Sequence, residues 1–161
     1  MCEFYTIEVF SKIFFGWEVC AIDVNFLSAC VLSNWNPFSI DLKPYQTCAG
    51  ILLDGKLKGL KQIFFILNYY GPYKYQEFFL NNVESSGLLN FPNLILAIDL
   101  NFILFGSKIW GDNPILEPLP YYFIQLFQRH QLMVFVLDKI SPTWRKGQSG
   151  EVVISKHWDI F

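Results

Sequence analysis

An aspartate and an asparagine follow one of the most apolar segments of this sequence. Residues 94–98 read Leu-Ile-Leu-Ala-Ile, and Asp99 and Asn101 come directly after them. In α/β sheets, ligands bind beyond the carboxyl ends of the strands. A carboxylate there could accept a proton from a water molecule, while the amide could hold that water or a phosphate oxygen. An Asx turn that only ends the strand explains the same two residues, and spacing alone favours that interpretation.

A second group of polar residues ends another apolar run. Residues 63–67 read Ile-Phe-Phe-Ile-Leu and are followed by Asn-Tyr-Tyr-Gly-Pro at 68–72. The hydroxyl of Tyr70 could donate a hydrogen bond to a phosphate at this strand end. Core packing followed by a Gly-Pro turn is the more common meaning of such a pattern taken alone.

A third segment mixes basic and aromatic residues near the end of the sequence. Residues 142–147 read Pro-Thr-Trp-Arg-Lys-Gly, and residues 155–159 read Ser-Lys-His-Trp-Asp. Cations that contact a backbone, with rings that stack on bases or sugars, are typical of nucleic-acid binding. Isolated basic clusters are more often solvated surface, and His157 by itself indicates little.

Strands are predicted wherever β-branched and aromatic residues concentrate between turn signals. Asp54-Gly55 is predicted to be a hairpin turn. Two runs lack alternation, which predicts burial on both faces; they lie within Gln62–Tyr70 and Asn93–Asp99. The other predicted strands are Trp17–Val24, Ala29–Trp35, Phe38–Leu42, Thr47–Leu53, Leu132–Leu137 and Val152–Ser155.

Two helices are predicted from apolar residues that recur with helical spacing. Tyr73–Ser85 carries Tyr75, Phe79 and Val83 on one face, and Gly87 follows as a C-cap. Pro118–Arg129 has the clearest apolar stripe of the chain. Strands flanked by helices, with two strands covered on both sides, predict a layered α/β fold.

Composition excludes several classes of protein. The 161 residues are 53% hydrophobic and 19% aromatic, with a formal net charge of −2. A disordered chain would be poorer in aromatics, and a disulfide-framework protein would be richer in cysteine. The charge shows no overall basic excess of the kind that marks many nucleic-acid-binding domains.

The sequence also shows no membrane-spanning segment, no signal peptide and no cysteine motif that binds a metal. Mean hydropathy is +0.31, yet charged and polar residues interrupt every apolar run before it reaches the length of a spanning helix. The first residues do not resemble a signal peptide. We therefore expect an intracellular protein with reduced thiols. The spacing of the four cysteines matches no zinc site, and we interpret them as small buried hydrophobic residues. They are Cys2, Cys20, Cys30 and Cys48.

The three segments, taken in order, resemble the endonuclease/exonuclease/phosphatase family. More narrowly, they are similar to the apurinic/apyrimidinic-like endonuclease domain of plant non-LTR (LINE-type) retrotransposons. The similarity covers about residues 17–161, and residues 1–16 form a divergent N-terminal segment. The phrases that carry it are LNYYGPY (67–73), NLILAIDLNF (93–102), SKIWGD (107–112), SPTWRKG (141–147) and ISKHWDIF (154–161), with NWNPFSIDLKPYQTCAGILLDG (34–55).

The resemblance implies a four-layer α/β sandwich of two packed sheets flanked by helices. It also implies hydrolysis of DNA phosphodiesters assisted by Mg²⁺. Asp99 matches the aspartate that activates water, Asn101 its partner amide, and Tyr70 the tyrosine that faces the phosphate. Asp159 matches the aspartate that orients a catalytic histidine. The nucleic-acid contacts are assigned to Asn68, Trp144, Arg145 and Lys146.

Several residues depart from the family pattern. The first family strands carry an asparagine and a metal-binding glutamate, and residues 1–15 show neither pattern. The family also closes on Ser-Asp-His, which this sequence does not reach. Ile98 stands where the family has a glycine before its aspartate. We therefore expect a fold that is incomplete at both ends, without bound metal and without catalysis.

Three functions remain open. The favoured hypothesis is a truncated, degenerate retrotransposon endonuclease domain, nuclear if it is expressed as a retroelement product. An active Mg²⁺-dependent nuclease or phosphatase with substituted residues is the second. A non-catalytic nucleic-acid-binding module is the third, and none of the three requires an obligate protein partner. The nearness of Glu18 or Asp23 to Asp99 and Asn101 would help to separate them.

Overall fold

The described part of the chain comprises residues 2–23, 30–72, 74–99, 109–110, 119–133, 144–146 and 154–156 of a computed structural model. Its helices are α1 (Cys2–Ile13), α2 (Gln76–Ser85), a short 3-10 helix (Leu88–Asn90) and α3 (Leu119–Arg129). Its first six strands are β1 (Glu18–Asp23), β2 (Cys30–Trp35), β3 (Ile40–Gln46), β4 (Gly50–Leu57), β5 (Phe64–Tyr70) and β6 (Leu94–Asp99). Three short strands follow, which are β7 (Ile109–Trp110), β8 (Trp144–Lys146) and β9 (Ile154–Lys156).

The larger sheet has the strand order β3-β4-β5-β6. Its first three strands are antiparallel neighbours, whereas β5 and β6 are parallel. A parallel pair needs a crossover connection, and α2 supplies it. β3 begins two residues later than the predicted Phe38–Leu42 and ends four residues later, at Gln46. It includes Pro44, which an edge strand tolerates, and β3 is the first strand of this sheet among the described residues.

Helices cover one face of this sheet, and the β1–β2 pair covers part of the other. The helix-side core is defined by its buried residues from the sheet, α2, the 3-10 helix and α3: Ala49, Leu52, Leu67, Tyr69, Leu80, Val83, Leu88, Leu89, Leu96, Ile98, Phe123, Leu126 and Phe127. The inter-sheet core consists of Val31, Trp35, Leu42, Ile51 and Leu53. The α/β fold with two packed sheets and outer helices is confirmed.

The two strands predicted to be buried on both faces, β5 and β6, differ in how much of each is covered. For β5 the prediction holds from Phe64 onward, because Leu67 and Tyr69 lie in the helix-side core while Ile66 packs against the inter-sheet core. It fails at Ile63, the first residue of the predicted run, which is 53% exposed. For β6 it is wrong, since Ile95 is 50% exposed. The reason is position: β1 and β2 contact β4 and β5, and among the described residues β6 is the last strand of the larger sheet.

The helix predictions hold at α3 and shift at α2. α3 spans Leu119–Arg129 and buries Phe123, Leu126 and Phe127, as its apolar stripe indicates. α2 begins only at Gln76, because Tyr75 adopts a left-handed backbone conformation with φ 59°. Tyr75 is therefore not part of the buried helical face, and its side chain is 83% exposed.

The predicted hairpin turn at Asp54-Gly55 is wrong, because both residues lie inside β4. Gly55 allows β3 and β4 to approach closely, because a Cβ at this position would stand 1.9 Å from the carbonyl oxygen of Asp41 on β3. The actual turn joins β3 to β4 at residues 47–50. The Thr47 hydroxyl oxygen accepts hydrogen bonds from the backbone N–H groups of Ala49 and Gly50.

A further small sheet has the order β7-β9-β8, with antiparallel pairs. β9 overlaps the predicted strand Val152–Ser155, whereas residues 134–137 of the predicted strand Leu132–Leu137 lie outside the described residues. The interpretation of all cysteines as buried hydrophobes is wrong for Cys48, which is exposed at the β3–β4 turn. No helix among the described residues is long and apolar enough to cross a membrane.

Candidate active site and nucleic-acid interface

The parallel pairing of β5 and β6 places Tyr70 directly beside Asp99. The two residues are register partners at the last position of the ladder. The N–H of Gly71 continues the pairing by donating to the backbone carbonyl of Asp99 at 2.6 Å. Because parallel strands end at the same edge of a sheet, two strand-terminating polar residues that are 29 positions apart in sequence become neighbours.

The alternation of β5 separates the two tyrosines at this edge. Tyr69 points into the helix-side core, where it is 3% exposed and packs against the ring of Phe79 at 5.5 Å. Burial raises the pKa of the Tyr69 hydroxyl, which therefore stays protonated. Tyr70 lies on the opposite face and is only half-buried. Of the two hydroxyls, Tyr70 is the one that an incoming phosphate could meet.

Asn68 holds the two sheets together. Its side-chain amide donates to the Leu32 carbonyl at 2.8 Å and to the Ser33 hydroxyl at 2.9 Å, both on β2. Since an amide nitrogen has two N–H groups, both of its donors are used within the protein. The role of Asn68 as a nucleic-acid contact remains a prediction, and the observed geometry assigns its N–H groups to positioning β5.

A cleft of about 450 Å³ opens beside Tyr70. Its wall includes the end of β1, the β3–β4 turn, and residues that lead into α2. Asp23, the last residue of β1, lines this cleft together with Tyr70. Glu18 begins β1, and six residues of strand put it roughly 16 Å further along, so of these two carboxylates Asp23 is the one that lines the cleft.

Gly50 fixes the distance between β4 and the functional end of β5. It pairs with Tyr69 in the ladder. A Cβ at position 50 would lie 2.3 Å from the carbonyl oxygen of Asn68 and 2.9 Å from the Cβ of Tyr69. A side chain there would push β5 away, and with it the cleft wall that Tyr70 forms.

Ile98, which replaces the glycine of the family pattern, is readily accommodated. It is 3% exposed and belongs to the helix-side core. Its backbone is regular strand, and the positive φ angles of the described non-glycine residues are confined to Tyr75, Asn93 and Gln131. This substitution therefore leaves the placement of Asp99 intact.

The remaining predicted site residues are placed only in part. Asn101 and Asp159 lie outside the described residues. Trp144, Arg145 and Lys146 form β8, where Trp144 is the register partner of Lys156 and Arg145 that of Ser155. This pairing brings three basic positions, 145, 146 and 156, into one small sheet.

The described residues do not fit a divalent metal centre. Such a site needs several carboxylate or imidazole ligands that converge. Within the described ranges, no group of three or more His, Cys, Asp or Glu residues is arranged to hold an ion. Glu8, which lies in the N-terminal segment, sits on α1 and pairs with Lys12 at 2.6 Å in an exposed ion pair.

Sequence reasoning missed most of the cleft. Asp23 is the exception, because it closes an apolar strand in the same way as Asp99 and was named from the sequence as a carboxylate whose position matters. Lys74 and Tyr75 carried no comparable signal, because a helical interpretation of the segment from 73 onward placed Tyr75 on a buried face.

Comparison with known proteins bears on the fold. No family model matches the sequence, and no curated protein does either. A solved structure, the endonuclease domain of TRAS1, a telomere-specific non-LTR retrotransposon, superposes with a TM-score of 0.64. The match covers 92% of this chain and 67% of that chain at 13% sequence identity. The chain thus has the fold of an endonuclease domain.

Proposed function

We propose that this chain is an endonuclease-like domain derived from a LINE-type non-LTR retrotransposon of plants, which contacts DNA and does not cleave it. The observation that carries the proposal is the Tyr70–Asp99 pair at the carboxyl edge of the larger sheet, beside an open cleft. The similar fold of the TRAS1 endonuclease domain and the family-like sequence phrases support the same assignment.

The edge contains groups that suit a phosphodiester. The Tyr70 hydroxyl can donate a hydrogen bond to a phosphate oxygen, and the Asp99 carboxylate can accept a proton from water. On β8 and β9, Arg145, Lys146 and Lys156 provide positive charge for the phosphate backbone. These groups account for binding, and a carboxylate next to a phosphate is only the first requirement for hydrolysis.

Hydrolysis in this family depends on a divalent ion that stabilises the charge developing on the phosphate. The described residues provide no convergent set of ligands for it. Loss of such electrostatic stabilisation lowers rates by orders of magnitude for each group removed. We expect the domain to bind DNA without cleaving its phosphodiester bonds.

The decisive experiment is a plasmid-nicking assay in Mg²⁺ with the wild-type chain and Asp99→Ala. We expect neither protein to nick DNA above the level of a protein-free control, while an active nuclease nicks it in the same buffer. Nicking by the wild type that disappears in Asp99→Ala would overturn the inactive assignment and identify Asp99 as a catalytic residue.

Binding is tested separately by the salt dependence of affinity for duplex DNA. Each phosphate contact that is lost reduces the slope of log K against log salt by about 1. We expect Arg145→Ala and Lys146→Ala each to weaken binding uniformly across sequences and to lower this slope. If neither substitution changes the affinity or its salt dependence, β8 does not belong to the DNA interface.

An active Mg²⁺-dependent nuclease is the second candidate, and Asp23 favours it. Asp23 lines the cleft that Tyr70 also lines, so a second carboxylate lies at this cleft. The nicking assay therefore includes Asp23→Asn. Activity that is lost in both Asp23→Asn and Asp99→Ala would establish a catalytic pair made of residues from β1 and β6.

A further inference from the structure

The cleft beside Tyr70 has a wall unlike the rest of the candidate site. Two aromatic side chains stand at its rim: Tyr75 is 83% exposed and Phe78 is 67% exposed. Apolar rings of this size are normally covered, and several exposed together mark an interaction surface. The cleft volume of about 450 Å³ lies within the usual range of ~300–1,000 Å³ for sites that receive a small organic group.

The backbone at Tyr75 is strained in a way that keeps its ring at the rim. Its φ of 59° and ψ of 33° are left-handed, which is unusual for a bulky residue. Such conformations persist where the surrounding structure imposes them, and they cluster at binding sites. Tyr75 is the N-cap residue of α2, which starts at Gln76, so Tyr75 stays outside the helix.

The polar groups around the rings suit a nucleotide better than a plain apolar ligand. Lys74 is exposed beside Tyr75 and offers a cation, while Gln46 and Asn82 offer amides that can hydrogen-bond to the edge of a base. Aromatic rings with a neighbouring cation are the usual elements of sites that bind single-stranded nucleic acid. A peptide that adds to a sheet needs a strand edge, whereas this cleft is lined by strand ends, the β3–β4 turn and residues around the start of α2.

The cleft is continuous with the Tyr70–Asp99 edge, because Tyr70 belongs to both. A strand with one phosphate at that edge would bring the adjacent nucleotide to the cleft. We propose, on the basis of the DNA binding proposed above, that the cleft receives an unpaired base, that Tyr75 and Phe78 stack on it, and that Lys74 contacts its phosphate. The domain then prefers DNA with unpaired bases to a plain duplex.

Three fluorescent DNA ligands test this preference by anisotropy: a duplex, the same duplex with a bulge of unpaired thymines, and a single strand. We expect the bulged duplex and the single strand to bind more tightly than the plain duplex. Phe78→Ala should weaken binding of the bulged duplex by about 5- to 150-fold, which is the usual effect of removing a stacking ring, and leave plain-duplex binding unchanged. Tyr121→Ala is the matched control, since this tyrosine is 69% exposed on α3 and should have no effect.

The outcomes separate this inference from the proposed function. If plain-duplex binding depends on Arg145 and Lys146 but unpaired bases give no gain, the base-binding cleft is refuted and the DNA-binding domain stands. Equal effects of Phe78→Ala and Tyr121→Ala also refute it. Absence of binding to all three ligands refutes both proposals.

A second readout locates the base independently of affinity. The Cys48 thiol is exposed and lines the cleft. We expect saturating single-stranded DNA to slow alkylation of Cys48 several-fold, as measured by mass spectrometry of the Cys48 peptide. Unchanged alkylation in bound complexes would overturn the proposal. Protection by an aromatic peptide but not by DNA would show a peptide site instead.

Discussion

The two faces of the larger sheet are packed in different ways. The helix-side core is formed almost entirely by aliphatic and phenyl side chains, with Phe123 and Phe127 in contact at 4.3 Å between ring centroids. The opposite face carries Asn68 and Ser33 in a hydrogen bond between the sheets, and Tyr70 reaches from it to the cleft. The comparison indicates that helix packing supplies most of the stability, whereas polar contacts between the sheets fix the position of the site.

The largest effect should come from the helix-side core. Phe123 is 1% exposed, and Phe123→Ala both removes buried apolar surface and leaves a cavity. We expect a loss of about 3–5 kcal/mol in the free energy of unfolding, measured by urea denaturation with an unchanged m-value. Phe78→Ala, at an exposed position, should change it by less than ~0.5 kcal/mol. Equal losses in the two variants would contradict the assignment of the core.

Asn68 should have an intermediate effect, because its loss removes the partner of a buried hydroxyl. Ser33 is 8% exposed, and Asn68→Ala leaves both it and the Leu32 carbonyl with one hydrogen bond fewer. We expect a loss of ~1–3 kcal/mol in the free energy of unfolding.

A double-mutant cycle tests the origin of this loss. Ser33→Ala removes the hydroxyl that would otherwise remain unpaired, so the two losses should not add. Strict additivity would show that Asn68 and Ser33 act independently. Weaker DNA binding by Asn68→Ala beyond the loss of stability would restore its role as a nucleic-acid contact.

The sequence was informative where a single local pattern determines the outcome. The stripe of α3 and, from Phe64 onward, the unbroken apolar run of β5 predicted burial correctly, because the tertiary packing covers the apolar faces that these local patterns indicate. The strand-terminating positions of Tyr70 and Asp99 were also visible, and the structure brings the two residues together.

The missed features depend on contacts between distant segments. Asp54 and Gly55 are residue types typical of a turn, but here the missing Cβ of Gly55 allows the strand to approach Asp41 closely. Ile95 is exposed because β1 and β2 lie over β4 and β5. Tyr75 leaves the helical face through a backbone conformation that its residue type disfavours. None of these outcomes is encoded in a local pattern.

The surface of the helix side should contribute less than either core. Glu84 on α2 forms an ion pair with Arg129 at 3.2 Å and lies 3.4 Å from a ring nitrogen of His130. The Arg129 side chain is 54% exposed, so water and salt screen the pair. We expect Glu84→Gln to lower the free energy of unfolding by ~0.2–1 kcal/mol, less at high salt. A loss that is insensitive to salt would point to packing rather than charge.

Trp35 should also have only a small effect, because two contributions oppose each other there. Trp35 is 6% exposed in the inter-sheet core, and among the described residues its indole N–H is a buried side-chain donor without a partner. A buried unpaired donor costs ~1–3 kcal/mol, so Trp35→Phe recovers that cost while it gives up some apolar contact. We expect a net change below ~1 kcal/mol in the free energy of unfolding. This change should be smaller than that of Phe123→Leu, which replaces a buried ring with a smaller side chain and removes no unpaired donor. A loss larger than that of Phe123→Leu would mean that the Trp35 N–H has a partner in solution. The inter-sheet face would then be as fully satisfied as the helix side.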